Sequence, residues 1–158
     1  GGIHLRVIWT TPSTSQTSEV IVQCEAGAKS ASPMDIRELK GGMAAAPAGW
    51  RGTDVLGLLV GEKPATKGLQ KEMHTADVAL GYVCCSKEGE VVQLLWNIKA
   101  QEMGLEGVSV GVKYGEDKNQ RVLIKRGKML PLLEKTKREE RDVVDVSEVK
   151  VEEAASCW

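Results

Sequence analysis

The chain has 158 residues, of which 42% are apolar and 27% are charged, enough to form one folded domain and too apolar for wholesale disorder. Its 21 Lys and Arg residues against 22 Asp and Glu residues leave a formal charge of -1, which argues against nucleic acid or an anionic membrane as a partner. The sequence contains no run of the roughly 18 apolar residues that a membrane span needs, and its first residues lack a signal-peptide pattern.

The first half of the chain predicts strands and turns. Residues 3–10 alternate apolar and polar side chains and residues 19–24 are rich in β-branched side chains, so both predict strands. The polar residues 11–18 between them predict a loop. Residues 27–52 contain many small residues and prolines, which predicts short strands and tight turns rather than a long helix. Residues 55–60 predict a buried strand.

The second half predicts two hairpins. Residues 78–85 and 91–98 are apolar runs joined by a short loop with a glycine, and residues 108–112 and 121–125 are joined by a second turn. Helix is predicted in three short places, residues 65–73, 98–103 and 132–141. Because short strands dominate, the sequence predicts an all-β fold, a barrel or sandwich with at most one or two short helices.

Four segments carry a family resemblance. The segment Gly81-Tyr82-Val83-Cys84-Cys85-Ser86-Lys87-Glu88-Gly89-Glu90-Val91 resembles the third motif of trimeric dUTPases. Residues 31–36, 65–69 and 126–133 are similar to the first, second and fourth motifs, and the four follow one another in the family's order. The resemblance implies a dUTPase-like β-barrel or jelly-roll domain over residues 1–149, a C-terminal tail at 150–158 and a homotrimer.

The resemblance also implies that hydrolysis has been lost. Cys84 takes the position of the aspartate that activates water, and a thiol is a poor general base for that step. Ser86 and Lys87 replace a second aspartate and a tyrosine of the same motif. Gly61 and Glu62 stand where the family has an arginine and a serine for the phosphates, and a carboxylate there repels a triphosphate.

The leading hypothesis is therefore a catalytically inactive dUTPase-like protein that serves as a binding or assembly module, with no catalytic residue and no cofactor. The positions that remain of the nucleotide site are Gly61, Glu62, Gly81, Tyr82, Val83, Ser86, Lys87 and Gly89. Such an enzyme descendant fits nucleotide metabolism or a viral or retroelement-related setting.

Two alternatives stay open. The first is an active dUTP nucleotidohydrolase with divergent motifs, in which Asp77 or Asp35 supplies the catalytic acid and Mg²⁺ accompanies dUTP. The second is an unrelated β-sandwich interaction module or capsid-type protein.

Cysteine usage and the chain end bear on metals, partners and location. The chain has four cysteines and two histidines without the spacing of a zinc site, so no metal is predicted and reduced thiols are expected. That expectation places the protein inside the cell, in the cytoplasm or nucleus. The last four residues, 155–158, loosely resemble a ligand for a domain that captures C-terminal carboxylates, so a protein partner at the tail is a further hypothesis.

Overall fold

The structure is a computed structural model that describes residues 5–11, 16–125, 128–129 and 150–154. The strands in these ranges are β1 (Leu5–Thr11), β2 (Gln16–Glu25), β3 (Val55–Gly61), β4 (Leu80–Cys85), β5 (Val91–Trp96), β6 (Val108–Lys113), β7 (Gln120–Lys125), β8 (Lys128–Met129) and β9 (Lys150–Ala154). The helices are α1 (Pro33–Ala45), α2 (Lys67–His74) and α3 (Ile98–Ala100), which continues into a π-helical turn (Gln101–Leu105).

Six strands form one mixed sheet in the order β5-β4-β3-β2-β1-β9. β2, β3 and β4 are parallel neighbours, and α1 and α2 are the crossovers that connect them. β1 and β5 flank them with antiparallel pairing, and β9 pairs with β1. Because parallel strands end at the same edge of a sheet, the loops after β2, β3 and β4 meet at one edge, called here the carboxyl edge.

Helix α1 begins where a side chain satisfies its first turn. The carboxylate of Asp35 accepts hydrogen bonds from the backbone N–H of Ser32, at 2.6 Å, and from the Ser32 hydroxyl, at 2.9 Å. Proline at the first helical position fits this start, because its fixed φ suits a helix and its missing N–H needs no partner there. Three apolar side chains on one face of the helix are buried against the sheet: Ile36, Leu39 and Met43.

Two apolar layers cover the sheet. On one face, α1 and α2 pack on a cluster that includes Ile21, Leu59, Leu80 and Tyr82. On the other face, Val20, Val22 and Leu56 pack with residues of α3, the π-helical turn and β6. Both faces of the parallel strands are thus buried, which is the usual situation for a parallel sheet and requires helices as well as strands.

The prediction of an all-β barrel is therefore wrong. The sheet is open and mixed, with no closed barrel among the residues that the structure describes, and residues 27–52 contain α1 rather than strands. The small-residue composition misled because Gly41 and Gly42, which cost about 1 kcal/mol each in a helix, are outweighed by burial of the apolar face.

Several local predictions are confirmed. The two predicted hairpins are present as β4–β5 and β6–β7, and β3 is the buried strand predicted at residues 55–60. The helices predicted at 65–73 and 98–103 correspond to α2 and to α3 with its π-helical turn. The helix predicted at 132–141 lies outside the described residues.

The chain ends carry two further observations. Of the predicted tail at 150–158, Lys150–Ala154 forms β9 beside β1, whereas residues 155–158 lie outside the described ranges. The boundary at residue 149 stays a prediction. Across the described segments, the helices are all too short or too polar to cross a membrane.

Candidate functional site

The register of the parallel strands brings polar side chains together at the carboxyl edge. Glu25 of β2 lies opposite Gly61 of β3, which in turn lies opposite Cys84 of β4. One step back, Gln23 lies opposite Leu59, and Leu59 lies beside Tyr82. Because side chains two apart in a strand share a face, both rows point to the layer of α1 and α2.

Three carboxylates meet above this edge. A ligand oxygen from each of Glu25, Asp35 and Glu38 lies within 4.8 Å of the other two. Asp35 and Glu38 are three residues apart in α1, so they lie on the same side of the helix. Glu25 and Asp35 are half-buried and Glu38 is exposed, so this group, called here the acidic cluster, opens to solvent on one side.

A buried amide supports the acidic cluster from below. The side chain of Gln23 is 1% exposed, and its Nε2 donates a hydrogen bond of 3.0 Å to Oε1 of Glu25. Its Oε1 is buried and has no hydrogen-bond partner in the described structure. A buried acceptor without a partner costs about 1–3 kcal/mol, so this oxygen calls for a ligand that it can bind.

Asp35 belongs both to the cap of α1 and to the acidic cluster. Its Oδ2 accepts both hydrogen bonds from Ser32 and thereby fixes the first turn of α1. Oδ1 takes no part in this cap. The carboxylate of Asp35 therefore anchors the helix and is also a member of the acidic cluster.

The loop between β3 and α2, residues 62–66, forms the neighbouring wall of the site and is held at three points. Oε1 of Glu62 accepts a hydrogen bond of 3.1 Å from the backbone N–H of Gly27, after β2. The Tyr82 hydroxyl donates to the backbone carbonyl of Lys63. The backbone N–H of Ala65 donates to Oε1 of Gln93 at 2.9 Å. Each bond comes from a different neighbouring segment, so the loop has little freedom.

Gly61 is required by this arrangement. A Cβ atom at position 61 would lie 2.5 Å from the Tyr82 hydroxyl oxygen, closer than any real contact allows. The absence of a side chain at Gly61 therefore gives the hydroxyl the space to reach Lys63.

Electrostatic effects link the walls of the site. Burial raises the pKa of the Tyr82 hydroxyl to about 12, and the Cys84 and Asp35 side chains add to the shift. Burial also raises the pKa of the Cys84 thiol, with a further contribution from Cys85, while the Lys63 ammonium acts in the opposite direction. Asp35, Tyr82, Cys84 and Lys63 are thus within electrostatic reach of one another.

The cysteines differ in state. Cys84 is buried and Cys85 is half-buried, and both are free thiols, in line with the expectation of reduced thiols. Cys24 is disulfide-bonded, which departs from that expectation. With pKa values raised by burial, Cys84 and Cys85 are protonated at neutral pH and are poor nucleophiles.

The structure separates the two alternative acids. Asp35 lies in the acidic cluster, whereas Asp77 lies in the connection before β4, at the opposite edge of the sheet, where it pairs with Lys40 at 3.6 Å. Asp77 and Asp35 therefore cannot act in one site. The role assigned to either of them remains untested.

The other predicted site residues have identifiable places. Ser86, Lys87 and Gly89 form the turn between β4 and β5, where the hydroxyl of Ser86 accepts from the backbone N–H of Glu90. Gly81 provides space for the Trp96 ring, since a Cβ there would lie 2.3 Å from a ring atom. Val83 is half-buried in β4. Of the predicted remnant, Gly61, Glu62 and Tyr82 border the acidic cluster, and whether any of these positions binds a nucleotide is untested.

Sequence reasoning missed Gln23, Glu25 and Glu38. One signal was available, because Gln23 and Glu25 are polar residues at the end of an otherwise apolar strand, next to a loop. A second signal was the spacing Ser32-x-x-Asp35, which is typical of a helix start. Neither signal shows by itself that the two segments come together.

The donor set of this site favours a hard divalent cation. Carboxylate and amide oxygens are the ligands that Mg²⁺, Mn²⁺ and Ca²⁺ prefer. Two oxygens on opposite sides of a cation are about 4.2 Å apart for Mg²⁺ and about 4.6 to 5.2 Å apart for Ca²⁺. The ligand oxygens of the acidic cluster lie within 4.8 Å of one another, a limit that falls in the Ca²⁺ range and lies above the Mg²⁺ value, so Mg²⁺ requires the oxygens to be closer than this limit.

A surface cavity of about 430 Å³ lies elsewhere, between the end of α2 and the end of β5. Its lining includes His74, Trp96 and Asn97. The polar groups of Asn97 are engaged internally: Oδ1 accepts from the backbone N–H groups of Leu80 and Ala100, and Nδ2 donates to backbone carbonyls. This cavity therefore lacks the unsatisfied group that distinguishes the acidic cluster.

Fold and site define a mixed α/β protein with a candidate cation site at the carboxyl edge of its parallel strands. Residues 6–114 match the family model of RRG7, required for respiratory growth protein 7. Since the match spans more than half of the chain, the chain belongs to this family. Comparison with curated proteins and with solved structures gave no match.

This family membership corrects the earlier functional hypotheses. The resemblance to trimeric dUTPases is wrong, because the matching family is a different one and the fold is not a barrel. The hypotheses that depended on this resemblance or on a barrel fold are wrong as well: an inactive dUTPase, an active dUTP nucleotidohydrolase and a capsid-type module. The same holds for a role in nucleotide metabolism and for a viral or retroelement-related setting. The predicted homotrimer and tail partner stay untested, and residues 155–158 lie outside the described ranges.

Proposed function

We propose that the acidic cluster and Gln23 bind a divalent cation, and that the protein uses it to act on a phosphate ester in mitochondria. The observation that carries the proposal is the buried Oε1 of Gln23, which has no hydrogen-bond partner among the described residues. It belongs to an amide whose Nε2 donates to Glu25, one of the three convergent carboxylates. An oxygen ligand to a cation satisfies that atom and relieves the repulsion among the carboxylates. Both effects favour the same occupant.

The reaction class follows from the chemistry of such a cation. Mg²⁺ and Mn²⁺ held by a few carboxylates keep open positions for water and for substrate phosphate oxygens. If Glu25, Asp35 and Glu38 hold such a cation, it would supply polarisation of the phosphoryl group and activation of water. The carboxyl edge of parallel strands is also where α/β proteins commonly bind their ligands.

The family supports the cellular location. Its description ties it to respiratory growth, and respiration in eukaryotic cells takes place in mitochondria. This description supports a mitochondrial location in our proposal, in place of the cytoplasm or nucleus. Fluorescence microscopy of the tagged full-length protein against a mitochondrial marker tests this placement, and a cytosolic signal would contradict it.

Cation binding is the first experiment. Titration of the purified protein with Mn²⁺, followed by the electron spin resonance of the free ion, is expected to show one site. The variants Glu25→Gln and Gln23→Leu should weaken binding at least tenfold. Glu62→Gln is the matched control, because it removes a carboxylate at the same edge that binds the backbone N–H of Gly27 instead. If Glu25→Gln and Gln23→Leu bind Mn²⁺ as tightly as Glu62→Gln and wild type, the site is contradicted.

Catalysis is the second experiment. Bis(p-nitrophenyl) phosphate and p-nitrophenyl phosphate distinguish diester from monoester hydrolysis, and each is assayed with Mn²⁺, with Mg²⁺ and with EDTA. We expect cation-dependent release of p-nitrophenol that is lost in Glu25→Gln and kept in Asp77→Asn, which changes an exposed carboxylate at the opposite edge of the sheet. Release that persists in EDTA would contradict a metal-dependent reaction.

A non-catalytic role of the same cation is the second candidate. It is favoured by the cap bonds of Asp35, because a cation bound by Asp35 and Glu25 would tie the first turn of α1 to the end of β2. In that case Mn²⁺ raises thermal stability while neither ester is hydrolysed. The two assays together therefore separate the candidates.

A further inference from the structure

The acidic cluster has a charge balance that calls for another positive group. Three carboxylates and one divalent cation leave a net charge of -1, and a phosphodiester brings a further negative charge. Substrate binding next to the cation is therefore unfavourable unless a basic side chain stands close by. Such a group is expected on a wall of the site that is held in place.

We infer that Lys63, carried by the β3–α2 loop, binds the phosphate group of the substrate next to the cation. This inference rests on the proposed function. Lys63 is two residues beyond Gly61, the residue directly opposite Glu25, so its backbone lies at the same edge as the acidic cluster. The side chain is exposed and takes part in none of the ion pairs found among the described residues.

The direction of the Lys63 side chain is supported by its neighbours. Its ammonium is close enough to Cys84 to stabilise the thiolate, and Cys84 points to the helix-covered face with the acidic cluster. Asp35 in turn influences Tyr82, two residues before Cys84 in β4. Lys63 and Asp35 of the acidic cluster thus both act on the Tyr82–Cys84 segment of β4, and the strand order places the ends of β2 and β3 on the same side of that segment.

Tyr82 is the positioning residue of this phosphate site. Its hydroxyl donates to the Lys63 carbonyl from a fully buried ring, and the backbone of Gly61 leaves the required space. Glu62 and Ala65 hold the same loop through Gly27 and Gln93. A loop fixed in this way loses little conformational entropy when its lysine binds an anion.

Binding of dimethyl phosphate, a diester with one negative charge that is not hydrolysed readily, tests the inference. Its affinity is measured by NMR titration with and without saturating Mg²⁺, and Mn²⁺ binding is measured in parallel. Lys63→Met is expected to weaken dimethyl phosphate binding about tenfold and to leave Mn²⁺ affinity unchanged. Lys71→Met is the matched control, because Lys71 is an exposed lysine near the end of α2.

Tyr82→Phe tests the positioning role with a readout that simple destabilisation does not move. We expect weaker dimethyl phosphate binding at a temperature where the variant is fully folded, with Mn²⁺ affinity unchanged. A lower melting temperature with normal dimethyl phosphate affinity would show that Tyr82 is only structural and would overturn its role here.

The outcomes separate this inference from the proposed function. If the wild-type protein does not bind Mn²⁺, the cation site is contradicted. The dimethyl phosphate titration without Mg²⁺ then still tests Lys63. Binding that depends on Lys63 but not on Lys71, in either titration, supports the inference. Equal affinity of wild type and Lys63→Met, or an equal loss in both lysine variants, overturns it.

Discussion

Replacing Glu25 with glutamine should stabilise the metal-free protein and abolish its stabilisation by a cation. In the acidic cluster the ligand oxygens lie within 4.8 Å of one another, so each pair of carboxylates repels by about 1 kcal/mol in a water-like dielectric and about 3 kcal/mol at an effective constant of about 20. Glu25 takes part in two of the three pairs. Its neutral isostere therefore removes about 2 kcal/mol of repulsion at the lower value, while the glutamine oxygen can still accept the hydrogen bond from Gln23.

The cation has the opposite effect on the wild-type protein. A ligand at 100 times its dissociation constant stabilises the folded state by about 2.7 kcal/mol. For a domain of this length, each kcal/mol raises the melting temperature by about 2–4 °C, so the expected rise is about 5–11 °C. Glu25→Gln loses a charged ligand and should show a much smaller rise.

Thermal melts followed by circular dichroism, in EDTA and across a Mn²⁺ series, check both effects. When the melting temperatures of the two proteins are plotted against Mn²⁺ concentration, the two lines should cross. Glu25→Gln melts above wild type in EDTA and below it at saturating Mn²⁺. Glu62→Gln, which keeps the acidic cluster intact, should follow wild type across the series. A Glu25→Gln variant that melts below wild type in EDTA and keeps the full rise with Mn²⁺ would refute the reasoning.

Three further predictions concern ionisation. In Tyr114→Phe, Tyr82 is the remaining tyrosine, and a spectrophotometric titration should show that it ionises near pH 12. The stability that its burial contributes below pH 10 should be lost as the pH rises to about 12. A titration midpoint near pH 10 would contradict its burial. Cys84, which is 2% exposed and has a raised pKa, should resist iodoacetamide at neutral pH until denaturant is added, as read by peptide mass spectrometry. Arg37 lowers the pKa of Glu72 below its ordinary 4.5 through a hydrogen bond. Wild type should therefore be slightly more stable than Glu72→Gln above pH 4.5, and this difference in melting temperature should vanish as the pH falls through the lowered pKa. A difference that persists at the lowest pH would refute the prediction.

Local patterns predict the strands of this protein well because their causes are local. The β4–β5 hairpin follows from two apolar runs and a turn glycine, and Gly89 indeed has a positive φ of 83°. The same features explain why the segment around Gly81 resembles an unrelated motif. Gly81 is required by the Trp96 ring and Gly89 by the turn, so packing and turn geometry produce the glycine spacing without common ancestry.

The global fold could not be predicted in the same way, because parallel pairing depends on contacts distant in sequence. β2 and β3 are neighbours only because α1 crosses between them and buries Ile36, Leu39 and Met43 on the sheet. Isolated from that surface, a helix with two internal glycines has low intrinsic stability. The composition of residues 27–52 therefore predicts turns, whereas tertiary packing stabilises a helix there.

The site is subject to the same limit, with one exception. The sequence marks Asp35 as an alternative catalytic acid, yet its position beside Glu25 exists only after the β2–α1–β3 crossover has formed. The two carboxylates are ten positions apart in the sequence. The polar pair Gln23 and Glu25 is the part that a sequence alone could mark, since buried parallel strands seldom carry two polar side chains on one face.

The energetic cost of that pair is the strongest reason to assign it a ligand. A buried amide oxygen without a partner costs about 1–3 kcal/mol, and the adjacent carboxylates add repulsion of similar size. An apolar side chain at position 23, such as the leucine at the neighbouring position 59, would remove the first cost and continue the core. The fold therefore carries a local destabilisation at the edge where all three parallel strands end, and a cation bound there would offset both of its sources at once.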